Sequence, residues 1–154
     1  MWRCRENPGQ VPIDLRMLDM GYVYGDCDSL AGDLAGPYLP TARAGSRAPH
    51  VWLDGDRRRS TLDLFGPGFT VLTTAESQVW QDATSLAASR TGIPLTVSLR
   101  AEPAFADAYQ ISGTTAVLIR PDGHVACRLP AAPEPSGAPE PLINAIEIAA
   151  GAQP

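Results

Sequence analysis

The chain is 154 residues long, the size of one domain plus flanking segments and enough to bury a core without disulfide or metal staples, while its 44% hydrophobic fraction sits at the low edge of the globular range, as a partly loosely held chain would. A net charge of −5 excludes non-specific nucleic-acid binding, which rests on Lys and Arg neutralising phosphates. No apolar run approaches the ~20 residues of a membrane helix, and Met1-Trp2-Arg3-Cys4 opens without the apolar core of a signal peptide, so the reading is cytoplasmic with no membrane partner.

Residues 1–44 read as an irregular approach segment, punctuated by Pro8, Gly9, Pro12, Gly21, Gly25, Gly32, Gly36, Pro37 and Pro40. Ile13, Leu15, Leu18, Tyr22, Tyr24, Tyr38 and Leu39 within it are groups that gain by being covered. A regular domain follows over residues 45–151. Its first predicted strand is His50-Val51-Trp52-Leu53, closed by the turn residues Asp54-Gly55-Asp56. The run Arg57-Arg58-Arg59 lies among Asp54, Asp56 and Asp63 and reads as a solvated loop. Ser60 is placed to cap a short helical turn that Gly66-Pro67-Gly68 breaks, and Phe69-Thr70-Val71-Leu72-Thr73 is a β-rich second strand.

Thr73 and Glu76 stand in capping-box spacing ahead of a helix of about four turns carrying Val79, Ala83, Leu86, Ala87 and Arg90. Gly92 sits where a left-handed cap belongs, and Pro94 prevents continuation. Residues 95–99 alternate as a strand with one wet face, and residues 103–109 form a short helix. Thr115-Ala116-Val117-Leu118-Ile119 is continuously apolar, as a strand buried on both faces requires. Arg120-Pro121-Asp122-Gly123 turns the chain into a hairpin, with Val125, Cys127 and Leu129 expected to alternate inward. Residues 130–140 are a Pro-rich connector to a closing helix with the stripe Leu142, Ile143, Ile146, Ala149 and Ala150. The predicted fold is therefore α/β and thioredoxin-like, a central mixed sheet in the order β-α-β-α-β-α-β-β-α.

Three stretches carry a family resemblance: residues 44–53 (Ala44-Gly45-Ser46-Arg47-Ala48-Pro49-His50-Val51-Trp52-Leu53), residues 60–72, and residues 116–128. They resemble the G-x-R-A-P-H-x-W-L, S-T-L-D-L-F-G and L-V-R-P-D-G-H-V-A-W-R signatures of the C-terminal domain of bacterial FAD-dependent aromatic and polyketide hydroxylases. Gly21-Tyr22-Val23-Tyr24 is similar to the G-x-x-Y pattern that precedes the domain in that family. Cys127 stands where the family often carries Trp. The resemblance implies FAD and NAD(P)H for the parent enzymes, whose flavin and substrate sites lie in the hundreds of residues ahead of this domain. Arg47, Pro49, His50, Trp52, Asp63, Phe65, Gly66, Arg120, Pro121, Asp122, Gly123 and His124 are the motif residues, and their implied role is structural.

The residues themselves offer no complete reaction centre. Gly66-Pro67-Gly68 lacks the third glycine of a dinucleotide fingerprint and leads into a strand rather than out of one, so no cofactor is expected on this chain. Cys4, Cys27 and Cys127 form no C-x-x-C pair, and Thr74-Ala75-Glu76-Ser77, where a thioredoxin thiolate would lie, has no thiol. His124 and Cys127, three apart on a strand, point to opposite faces and do not pair on a metal. No G-x-S-x-G elbow is present. Cys127 reads as a small core hydrophobe.

The leading expectation is a non-catalytic accessory domain, acting in trans with a separately encoded FAD-binding hydroxylase chain, self-associating, or persisting as a remnant of a fused enzyme. The alternative is a binding module for a small aromatic ligand in a groove beside Trp52, Trp80 and Phe69. An independent redox enzyme is the third class.

Overall fold

The computed structural model describes residues 20–24, 38–74, 78–130, 133 and 139–151. Cys4, Cys27, Glu76, Ile13, Leu15, Leu18 and most of the Pro-rich connector lie outside the described residues.

Among the described residues four strands and three helices follow a 3-10 turn at Thr61–Leu64: β1 (Phe69–Thr73), α1 (Gln78–Thr91), β2 (Leu95–Leu99), α2 (Pro103–Tyr109), β3 (Ala116–Ile119), β4 (Val125–Leu129) and α3 (Glu140–Ala149). They build one mixed sheet in the order β2-β1-β3-β4. β1 runs parallel to β2, with Val71 opposite Val97, and antiparallel to β3, with Val71 opposite Leu118. A parallel neighbour needs a crossover, which α1 supplies; the antiparallel pair β3–β4 needs only a tight turn.

Side-chain alternation splits the interior into two layers. Phe69, Val71, Ala116, Leu118 and Leu129 meet Trp80, Ala83 and Ala87 of α1 and Leu142, Ile143 and Ile146 of α3 on one face. Leu72, Val117, Ile119 and Val125 meet Phe105 and Tyr109 of α2 on the other, with Ala42, Ala48, Val51, Leu53, Leu64 and Phe65 packed around them. All of β1 and β3 is buried, as strands covered on both faces must be. Trp80 is buried to 1% exposure and its indole N–H donates to the Thr114 carbonyl at 3.0 Å, so the ring meets its one polar requirement inside the core.

Local chemistry sets the element ends. Ser60 and Asp63 form a reciprocal capping box over the 3-10 turn. Gly92 (φ +68°) ends α1 in the left-handed conformation, its N–H donating to the Ala88 carbonyl. The Thr73 hydroxyl donates to the Thr115 carbonyl at 3.0 Å, tying β1 to the approach of β3.

Two expectations need correction. Residues 50–53 are not a strand of the sheet: the predicted order holds from β1 onward, and its first step is an extended segment making a single antiparallel bridge, Trp52 to Ser60. Its backbone bonds close locally, Leu53 N–H to the Arg59 carbonyl and Thr61 N–H to the Val51 carbonyl, so it folds on the following loop rather than pairing with β1 to β4. The inward alternation of Val125, Cys127 and Leu129 also breaks. Leu118 pairs with Cys127 but Ile119 with Val125, a bulge that puts Val125 in the α2 layer and leaves Cys127 and Leu129 on the α1–α3 side. Among the described residues no helix is long and apolar enough to cross a membrane.

Candidate functional site

Arg120, Pro121, Asp122, Gly123 and His124 form the turn where β3 passes into β4. Pro121 takes the second position of the turn, where its fixed φ is an advantage, and Gly123 adopts φ +80° in the region side chains avoid. Asp122 sits between the arms. Its Oδ1 accepts from the His124 backbone N–H at 3.1 Å, and its Oδ2 accepts from Arg120. Burial pushes the Asp122 carboxyl up, but the His124 N–H, the Arg120 charge and the His124 ring together leave it below the ordinary carboxylate value. His124 Nδ1 lies 3.3 Å from Asp122 Oδ1 without a hydrogen bond between them.

Residues 45–48 extend this hairpin. Gly45 N–H donates to the Val125 carbonyl, Val125 N–H to the Ser46 carbonyl, and Ala48 N–H to the Gly123 carbonyl, with Arg47 bridged to His124. Beyond them Pro49 is a junction. Its buried carbonyl accepts from the Tyr109 hydroxyl at 2.7 Å and the Thr61 hydroxyl at 2.8 Å, drawing α2 and the 3-10 turn onto one atom. Burial raises the Tyr109 phenol to about 12, with the neighbouring Thr61 hydroxyl opposing. Val51 N–H donates back to the Thr61 hydroxyl at 3.1 Å.

The extended backbone of 50–53 then sorts its side chains by alternation. Val51 and Leu53 pack inward, while His50 and Trp52 face out as an edge-to-face pair 4.6 Å apart. Asp63 serves the capping box, taking the Ser60 N–H at 2.7 Å. Phe65 packs into the α2 layer, 3.7 Å from where a side chain on Gly123 would begin. Gly66 borders open space and nothing in the structure explains the glycine. Arg47 faces Tyr38, whose phenol burial raises and the Arg47 charge lowers.

Two fasteners escaped the sequence reading. Arg128 reaches the carbonyls of Tyr109 (2.7 Å), Gln110 (2.6 Å) and Ala42 (3.3 Å), so one cation closes the C-terminal end of α2 and holds the approach segment. In the sequence it shows only as the closing residue of the third motif block, with no sign of the carbonyls it reaches. Tyr109, 60 positions from the carbonyl it serves, gives no signal at all.

A flavin pyrophosphate needs bare backbone at a helix N-terminus. Gly68, the second glycine of Gly66-Pro67-Gly68, lies instead against the loop before β2: a Cβ there would fall 2.3 Å from the Pro94 carbonyl oxygen, which accepts the Phe69 N–H. These residues do not fit FAD. Burial pushes the Cys127 thiol up, away from the thiolate a nucleophile needs. Among the described residues no three His, Cys, Asp or Glu side chains gather as a metal site. Trp80 and Phe69 belong to the core while Trp52 is 43% exposed, so the three do not line one groove.

The sequence profile described as aromatic-ring hydroxylase, C-terminal, matches residues 41–152. This chain belongs to that family. It is 36% identical to a 4-methyl-5-nitrocatechol 5-monooxygenase of a Burkholderia species, the match covering 75% of this chain and 24% of the relative. It is also 36% identical to the tetracenomycin B2 monooxygenase-dioxygenase of Streptomyces olivaceus, over 78% of this chain and 24% of that protein. The chain thus spans about a quarter of the length of these relatives, in their C-terminal part. Among solved structures it is similar to the rebeccamycin biosynthetic enzyme RebC (31% identity, TM-score 0.69, covering 91% of this chain and 25% of that one). It is similar too to aklavinone-11 hydroxylase in complex with FAD and aklavinone (28% identity, TM-score 0.71, covering 87% and 27%). In this C-terminal domain Arg120, Asp122 and the backbone of Arg47 and His124 bind one another at the hairpin turn, and Pro49 joins Tyr109 to Thr61, while His50 and Trp52 face outward.

Proposed function

We infer that this chain is a non-catalytic, thioredoxin-like accessory domain of an FAD- and NAD(P)H-dependent aromatic or polyketide hydroxylase, working in the cytoplasm. It acts against a flavin-bearing body carried on another chain, or persists as a remnant of one. The observation that carries this reading is the engagement of the signature groups. Pro49, Asp63, Arg120, Asp122 and the backbone of Arg47 and His124 are bound to other parts of the same fold, which makes them holders of shape rather than reactants. Exposed apolar groups support a partner surface: among the described residues, five of the seven large ones, Tyr22, Tyr24, Leu39, Trp52 and Leu62, fall in the N-terminal half, with Leu86 and Ile148 lying elsewhere.

The test is affinity capture of the tagged chain from its native host. A yellow eluate that oxidises NAD(P)H supports an accessory domain working on a flavoprotein, and Trp52→Ala should weaken its recovery. Stoichiometric FAD on the purified chain alone, or turnover of a phenol or quinone by it, would overturn the reading. A colourless homo-oligomer would shift the partner to a second copy.

A further inference from the structure

A short piece of the approach segment, residues 20–24, is seated on the hairpin end by four contacts of different kinds. Tyr24 N–H donates to the Gly45 carbonyl at 2.9 Å. Gly45 holds φ +84°, and a Cβ on it would fall 2.2 Å from the Tyr24 carbonyl oxygen, so only glycine admits the strap at this distance. The Tyr24 ring meets the His124 ring edge-to-face with centroids 4.9 Å apart, and the Arg120 guanidinium lies 5.1 Å from the Tyr24 centroid. Tyr22 completes the cluster, edge-to-face on Tyr24 at 4.9 Å. Arg120 is not free to wander, because Asp122 holds it.

These contacts form a chain of dependence. Gly45, which receives the strap, donates its own N–H to Val125, and the next residues bind Val125 and Gly123. The strap therefore touches both strands of one backbone ladder: the 45–48 segment through Gly45, and the β3–β4 turn through the rings of His124 and Arg120's charge.

We propose that residues 22–24 are a clamp, with Tyr24 as its positioning residue, that couples the 45–48 segment to the conformation of the Arg120–His124 turn. Seated, Tyr24 pins the 45–48 segment against the hairpin. Released, the ladder between 45–48 and 123–125 loosens while the sheet stays intact, because β1, β3 and both core layers make no use of the strap. The clamp stands on these contacts alone and holds whether or not the accessory-domain reading survives.

Amide hydrogen exchange of the full chain by NMR tests it. An aromatic pair and a cation–π contact each contribute on the order of a factor of several, so Tyr24→Ala should speed exchange at Gly45, Ala48 and Val125 roughly tenfold. Amides within β1 and β3 should not change. Tyr24→Phe should keep the wild-type pattern, since both ring contacts use the ring and not the hydroxyl. Gly45→Ala should reproduce the loosening with the Tyr24 side chain present. Unchanged exchange at Gly45, Ala48 and Val125 in Tyr24→Ala would overturn the clamp, and so would an equal rise at every amide, which would mean only global destabilisation.

Discussion

Removing the Tyr109 hydroxyl and the Thr61 hydroxyl together should destabilise the domain by more than the sum of the two single changes. The reason lies in one atom. The Pro49 carbonyl is buried and accepts from both hydroxyls, at 2.7 and 2.8 Å. Tyr109→Phe removes one bond but leaves the carbonyl satisfied by Thr61, at a cost of about 1 kcal/mol. Thr61→Val removes the other and also deprives Val51 N–H of its acceptor, for about 2 kcal/mol. In the double variant the carbonyl has no donor left, and a buried acceptor without a partner adds about 1–3 kcal/mol. The expected total is therefore about 4–6 kcal/mol against an additive 3, a coupling of at least about 1 kcal/mol. Urea unfolding followed by far-UV circular dichroism measures all four proteins, and each kcal/mol should also lower Tm by about 2–4 °C in a chain of this size. If the two substitutions add to within about 0.5 kcal/mol, or Tyr109→Phe is neutral, Pro49 is not the shared junction described above.

Other outcomes follow from single contacts. Alkali should weaken the domain through Tyr109: its phenol is raised to about 12, so below pH 10 folded and unfolded states are both protonated and the contribution is fully present. Between about pH 10 and 12 the unfolded chain ionises first, and stability falls by about 1.4 kcal/mol per pH unit, a slope Tyr109→Phe should flatten in pH-resolved urea melts. Gly68→Ala should cost roughly 2–3 kcal/mol because the new methyl meets the Pro94 carbonyl, while Gly66→Ala, in open space, should stay within about 0.5 kcal/mol. Equal urea midpoints for the two would refute the close approach. Arg128→Leu should lose about 1–2 kcal/mol by uncovering the Tyr109, Gln110 and Ala42 carbonyls to water, and Arg128→Lys should recover only part, since an ammonium cannot span three acceptors as a guanidinium does.

Much of the framework was legible from the chain because its signals are local. Ser60 caps its turn, Gly92 stops α1, and Pro121 with Gly123 turns the hairpin; each needs only neighbours a few positions away. The continuous apolar run of β3 likewise declared itself buried on both faces. The motif blocks pointed to the family for the same reason, as ordered local patterns. Pairing is different. Residues 50–53 have the composition of a strand, but whether a strand joins the sheet depends on an open edge, and this one found its partner in its own loop at Ser60. The inward phase of β4 was lost in the same way, since a bulge between Val125 and Cys127 reverses a period of two without leaving a mark in the composition. The fasteners that gather the motif blocks were least visible of all. Tyr109 and Thr61 converge on Pro49 from 60 and 12 residues away, and Arg128 reaches Ala42 across 86. The sequence alone determined which segments become helix, turn and buried strand, through backbone preferences that act over one or two turns. Only the tertiary structure decided which carbonyl meets which donor, because a hydrogen bond depends on distance in space and is indifferent to distance along the chain.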